Sequence, residues 1–160
     1  MFKKIFNNTR SRFVELHNVN IEIVFTPMFL STMNCRPRLA SLVFPWRKRR
    51  YIISVNSRKN FGRYSIPVES LSDEVLAGWF GHELSHVVQY EKMSLIELIA
   101  FPFKYFFNLD FRKNFEIEAT HIAREIGFGN ELSEVEKFLR NDRRVNKKYQ
   151  ERFRRFYILD

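Results

Sequence analysis

The chain has 160 residues, 45% of them hydrophobic, with 18 phenylalanines, so it has length and apolar content enough to bury a real core and is not a disordered segment. Its formal net charge is +9 and its pI is near 9.9, which favours anionic surfaces and says nothing about fold. A single cysteine, Cys35, excludes an internal disulfide framework and a cysteine zinc cage, and reads as a buried thiol.

The N-terminal stretch "MFKKIFNNTRSRF" has basic residues but no apolar h-region, so it does not read as a signal peptide. The first ~70 residues read as strands and turns. "NIEIVFT" (20–26) opens with period-two alternation, and Pro27 ends it. "LASLVF" (39–44) is a second strand candidate, followed by a turn at Pro45, Trp46 and the basic run 47–50. "YIISVNS" (51–57), rich in β-branched residues, is a third. "YSIPV" is a short fourth, held to an edge or end by Pro67.

After Ser70 the period becomes helical. Ser70 or Ser72 caps a helix whose first turn carries Asp73 and Glu74, and whose apolar positions run from Val75 to Val88. Ser94 with Glu97 forms a capping box for a second helix, which Pro102 should bend or end. The window 94–109 is too short, and interrupted by Glu97, Pro102 and Lys104, to span a membrane. "FRKNFEIEATHIAREIGFG" is a third helix with the stripe Phe111, Phe115, Ala119, Ile122 and Ile126, closed by Gly127 or Gly129. Ser133 with Glu136 reads as another capping box. The basic tail places Val145, Tyr149, Phe153 and Phe156 at helical spacing. With no repeats and no Gly/Ser linker, residues 1–160 form one α+β domain: 1–69 mainly strands, 70–160 mainly helices. The expected location is the cytoplasm, with peripheral membrane association left open.

The chemistry concentrates in "HELSH". On a helix, residues four apart share a face, so His82 and His86 can direct imidazole nitrogens to one point, as a Zn²⁺ ion with bonds of ~2.0–2.1 Å requires. Glu83 lies ~100° round the helix, out of reach as an equal ligand but placed to take a proton from water. A random HExxH in a chain with four histidines has a chance of roughly one in a hundred, so coincidence is a poor account of it. Two packed histidines without a metal would bury polar side chains at a cost. A catalytic zinc needs a third protein ligand, and Glu116, Glu118 and His121 on the third helix are the candidates. Glu116 and Glu118 border opposite edges of the apolar stripe; His121 points away from it. His17 reads as a surface residue.

"HELSH" followed by "FEIEATHIA" resembles the gluzincin metallopeptidases, whose two HExxH histidines are joined by a glutamate from a later helix. The closer similarity is to the E-x-x-A-D segment of HtpX-like and CAAX-processing peptidases and of small soluble bacterial proteins with that core. The resemblance covers about 70–129. It implies one Zn²⁺ held by His82, His86 and Glu116, with Ala119 at the family alanine and Thr120 where the family has a ligand-orienting aspartate. It also implies a small, mostly antiparallel sheet over the HExxH helix, with an edge strand binding an extended peptide; "YIISVNS" is the candidate strand, its plainer reading being an ordinary interior strand. The activity implied is hydrolysis of peptide bonds in a peptide or protein substrate, with Glu83 as general base and Tyr90, His121 or Arg124 as oxyanion donor. The HtpX-like transmembrane helices have no counterpart here. Two alternatives belong to other classes. The basic runs, with Tyr149, Phe153 and Phe156 interleaved in the tail, could bind nucleic acid or anionic lipid, although the aromatic spacing also suits a core-facing helix. SprT-like enzymes acting on DNA-bound proteins need a third histidine soon after the motif, which this chain lacks. Thr120 makes a metal-binding, inactive scaffold the other alternative, with 93–107 as lid, partner groove or membrane-surface helix; its plainer reading is a buried link between the two ligand helices.

Overall fold

The computed structural model describes residues 1–42, 48–63 and 65–157, excluding the side chain of Tyr157. Its elements are α1 (Phe2–Ser11), β1 (Asn20–Thr26), β2 (Met33–Pro37), α2 (Leu39–Leu42), β3 (Arg50–Asn56), α3 (Asp73–Lys92), α4 (Leu95–Phe107), α5 (Leu109–Ala123), α6 (Gly129–Asn141) and α7 (Lys147–Tyr157). The fold is α+β: a small N-terminal sheet and a helical C-terminal half.

The sheet is mixed, in the order β1-β3-β2. β1 runs parallel to β3, and β2 antiparallel to it. β3 contains "YIISVN" and is the central strand, the plainer of its two readings, and not the candidate peptide-binding edge; Tyr51, Ile53 and Val55 are wholly buried. The edge nearest the helices is β2, "MNCRP", which packs on α3. Two strand expectations are overturned. Residues 39–42 form the short helix α2, because the Ser41 amide and hydroxyl both donate to Arg38 O, at 2.8 and 2.7 Å, turning the chain out of the sheet. The rest of that segment, and the turn predicted at Pro45, lie outside the described residues. In "YSIPV", the described residues 65–67 are not strand: Ile66 N donates to Thr32 Oγ1, and the chain enters a 3₁₀ turn at Val68–Ser70. Residues 2–11, expected among strands and turns, are helical and bury Ile5, Phe6 and Thr9.

α3 is the hub, packed against α1, α5, α6 and β2. Ser72 caps it by accepting from Val75 N, with Asp73 and Glu74 complementing the positive end of the helix. Every residue from Val75 to Tyr90 except Ala77 is buried, as suits a helix enclosed on all sides. Burying Phe80, at 0% exposure, contributes ~2–3 kcal/mol. Gly78 lets α6 in: a Cβ there would stand 2.6 Å from Glu131 O.

The Ser94–Glu97 capping box is present in both directions. α4 continues through Pro102 to Phe107. It is not a buried link: only Leu98 is fully buried, while Ile96 (79%), Phe103 (68%) and Phe107 (86%) are open to solvent. α5 ends at Ala123 in a π turn over Arg124–Phe128, which is kinked at Gly127, whose φ of 99° favours glycine; Arg12 donates to the Gly127 carbonyl. α6 begins at Gly129, so Ser133 is interior to the helix and donates to Gly129 O rather than capping. Val145 and Phe156 of the tail are buried, Tyr149 and Phe153 half-buried: these side chains cover the core. Among the described residues, no helix is long and apolar enough to cross a membrane.

Candidate metal centre

His82 and His86 stand one turn apart on α3, and their rings meet edge to face with centroids 4.6 Å apart. α5 crosses beside them and turns Glu116, 3% exposed on its buried side, inward. His82 Nε2 lies 3.1 Å and His86 Nε2 3.3 Å from the same oxygen, Glu116 Oε2. A tetrahedral ion with bonds of ~2.0–2.1 Å separates its ligand atoms by about 3.3 Å, so two imidazoles and one carboxylate at these spacings fit a zinc-type donor set. His82, His86 and Glu116 are the group brought together among the described residues.

The surrounding bonds orient the donors. Gln89 Nε2 donates to Phe115 O (3.0 Å) and Glu118 Oε2 (2.7 Å), which turns its carbonyl oxygen towards His86. His86 Nδ1 therefore donates to Gln89 Oε1 at 2.8 Å, and Nε2 is the ring nitrogen turned to the shared point. His86 also stacks on Phe115, centroids 4.9 Å apart. Thr120 Oγ1 donates to Glu116 O (3.0 Å) and turns a lone pair towards His82 Nδ1 at a long 3.5 Å, so it occupies the orienting position only weakly. Tyr105 donates its hydroxyl to Glu116 Oε1.

Electrostatics follow from this burial. Desolvation alone would push the Glu116 carboxyl up, but the His86 charge and the two histidine bonds hold it well below the usual range. For His86 burial opposes the charged ring, and Glu116 outweighs it, raising the ring to about 9. His82 is lowered, chiefly by burial. Glu83, only 5% exposed, is lifted to about 7 by burial, against the opposing pull of His86. A carboxyl near neutrality can both accept and return a proton.

The other sequence candidates separate clearly. Glu118 is held by Gln89 and supports the centre from outside. His121 is exposed on α5, and His17 is exposed with its ring near Ser11 O, so neither reaches the centre. Tyr90 donates to Cys35 O at 3.5 Å, whereas Arg124 lines a pocket with His82, Glu83 and Thr120. Sequence reasoning missed Gln89 and Tyr105. Gln89 had a signal, its i+3 spacing from His86; Tyr105, on the helix before α5, had none.

A cleft of about 950 Å³ leads to Glu83, His86 and Glu116. All of β2 lines one side of it, and Leu98, Phe101, Pro102 and Phe106 of α4 another. No family model matches the chain, and comparisons with curated proteins and with solved structures return no match.

Proposed function

We propose that this chain is a zinc metallopeptidase of the gluzincin type, hydrolysing peptide bonds with Glu83 as general base. The observation that carries the reading is the convergence of both HExxH imidazoles on one oxygen of Glu116, beside a buried Glu83 and at the end of a large cleft. His82, His86 and Glu116 would hold the ion. Zinc bound there would polarise a scissile carbonyl and acidify water at its open position. Glu83 takes the proton from the attacking water and returns it to the leaving amine. Gln89 and Tyr105 keep His86 and Glu116 in place. The edge strand β2 along the cleft suits an extended peptide, which can add to it by main-chain pairing. Of the three oxyanion candidates, Tyr90 lines the substrate cleft with Glu83, His86 and Glu116, whereas Arg124 lines a separate pocket with His82 and Glu83.

Metal analysis and a peptidase assay on an unfolded protein test this together. Purified wild type should carry about one zinc per chain, as a single three-ligand site implies. Glu83→Gln should keep the metal and lose activity by ~10²–10⁴-fold. His82→Ala and Glu116→Gln should lose both. Hydrolysis that survives Glu83→Gln would end the assignment.

A further inference from the structure

The cleft that ends at the metal centre is strongly cationic. Arg36, Arg112, Lys148, Arg152 and Arg155 line it, while Glu151 is the one acidic lining residue apart from Glu83 and Glu116. Arg112 is set apart from the others by how it is held. Its guanidinium carbon lies 5.1 Å from the ring centroid of Tyr105 and 4.3 Å from that of Phe156. Two aromatic contacts thus fix a planar fork at the cleft wall. Its Nε is buried without a hydrogen-bond partner among the described residues, and Arg112 enters no ion pair there. A guanidinium that lines the cleft, is held by two rings and makes no hydrogen bond or ion pair among the described residues is pre-oriented for an anion entering there.

Its position relative to the chemistry is defined. Arg112 and Glu116 are four residues apart on α5, hence on one face and ~6 Å apart along the axis. Tyr105 joins them: its ring contacts Arg112 and its hydroxyl donates to Glu116. An extended peptide advances ~3.3 Å per residue, so a group docked on Arg112 lies about two residues from a carbonyl held at the centre.

We propose that Arg112 is a specificity residue that docks a carboxylate of the peptide substrate, so that the cleft selects acidic over neutral peptides. The peptide identity of the ligand rests on the metallopeptidase reading; the recognition of a carboxylate rests on Arg112 alone. The fork supplies two parallel N–H donors to the two carboxylate oxygens. The neighbouring Lys148 and Arg155 raise the local potential and the rate of encounter.

Calorimetric titration of full-length Glu83→Gln with three peptides tests this: one glutamate-rich with an amidated C-terminus, its glutamine counterpart amidated, and that counterpart with a free C-terminus. At least one carboxylate-bearing peptide should bind ~10-fold or more tightly than the neutral one, as charge-assisted bidentate pairing implies. Preference for the first identifies side-chain carboxylates as the source, and preference for the third identifies the chain end. Adding Arg112→Met should erase the preference. Arg112→Lys, which keeps charge but not the fork, should lose at least ~3-fold of it, and carries the test if the methionine variant does not fold. Lys137→Met, at an exposed position of α6 paired with Glu134, makes the same charge change and should leave the preference intact. Equal binding of all three peptides, or a preference untouched by the Arg112 substitutions, overturns the proposal. Zinc content and hydrolysis are read separately on wild type. Their absence would defeat the hydrolase reading without altering the binding result.

Discussion

Gln89→Leu should weaken the proposed metal centre without removing any atom that could touch an ion held there. The substitution keeps the approximate volume and removes three hydrogen bonds: to His86 Nδ1 (2.8 Å), Phe115 O (3.0 Å) and Glu118 Oε2 (2.7 Å). Gln89 is 4% exposed and His86 7%, so water does not readily replace the lost partner. The stranded Nδ1–H costs ~1–3 kcal/mol and the lost bond to Phe115 about 1 kcal/mol, while Glu118, which is exposed, exchanges its bond for water, for a total of ~2–4 kcal/mol. The leucine returns part of this through apolar burial, leaving a net loss of about 1–3 kcal/mol. Zinc affinity should fall by ~10–100-fold, since the His86 ring is then free to rotate or change tautomer. Urea unfolding measures the first quantity, and zinc competition against a fluorescent chelator the second. A folded variant whose zinc affinity stays within ~3-fold of wild type would refute the claim that Gln89 orients His86.

Tyr105→Phe removes the hydroxyl that donates to Glu116 while keeping the ring beside Phe101 and Arg112; zinc affinity should drop ~10-fold with an unchanged circular dichroism spectrum. Thr120→Val should cost less than ~3-fold in the same competition assay, because its approach to His82 is 3.5 Å. Gly78→Ala puts a Cβ against Glu131 O and Val135 Cγ2, at 2.6 and 2.8 Å; α6 must shift, and the urea midpoint should report a loss of ~1–3 kcal/mol despite alanine's better helix propensity. Burial, then the Glu83 charge, raises the Cys35 thiol well above its ordinary range, so a thiol reagent at mildly alkaline pH should label it at the rate of unfolding. Rapid stoichiometric labelling of the native protein would contradict that.

The features legible in the sequence are those specified by neighbours along the chain. The Ser72 cap, the Ser94–Glu97 box and the break at Gly127 depend on spacings of a few residues, and all three are present. So does the pairing of His82 with His86 on one face. The choice between Glu116 and Glu118 was not local. Both border the apolar stripe, and only the way α5 crosses α3 sends one to the histidines and the other to Gln89. β2 was hidden for a similar reason: "MNCRP" has no alternation to notice, and its strand state comes from pairing with β3. β3 was recognised as a strand, yet its central place is set by two partners that its own residues do not name. In α1, the inward Ile5, Phe6 and Thr9 were masked by a polar, asparagine-containing run of weak helix propensity.

The parallel ladder between β1 and β3 also bears on biosynthesis. Its register joins Asn20 to Arg50 and Thr26 to Asn56, thirty positions further on in each case. No hairpin can nucleate such a pairing, and closing the intervening loop must come first. At ~5–20 residues per second, a ribosome adds those thirty positions in about 2–6 s. Through that interval Ile21, Ile23, Val24 and Phe25 emerge with their strand partner still unmade, a window in which a nascent-chain chaperone has something to hold.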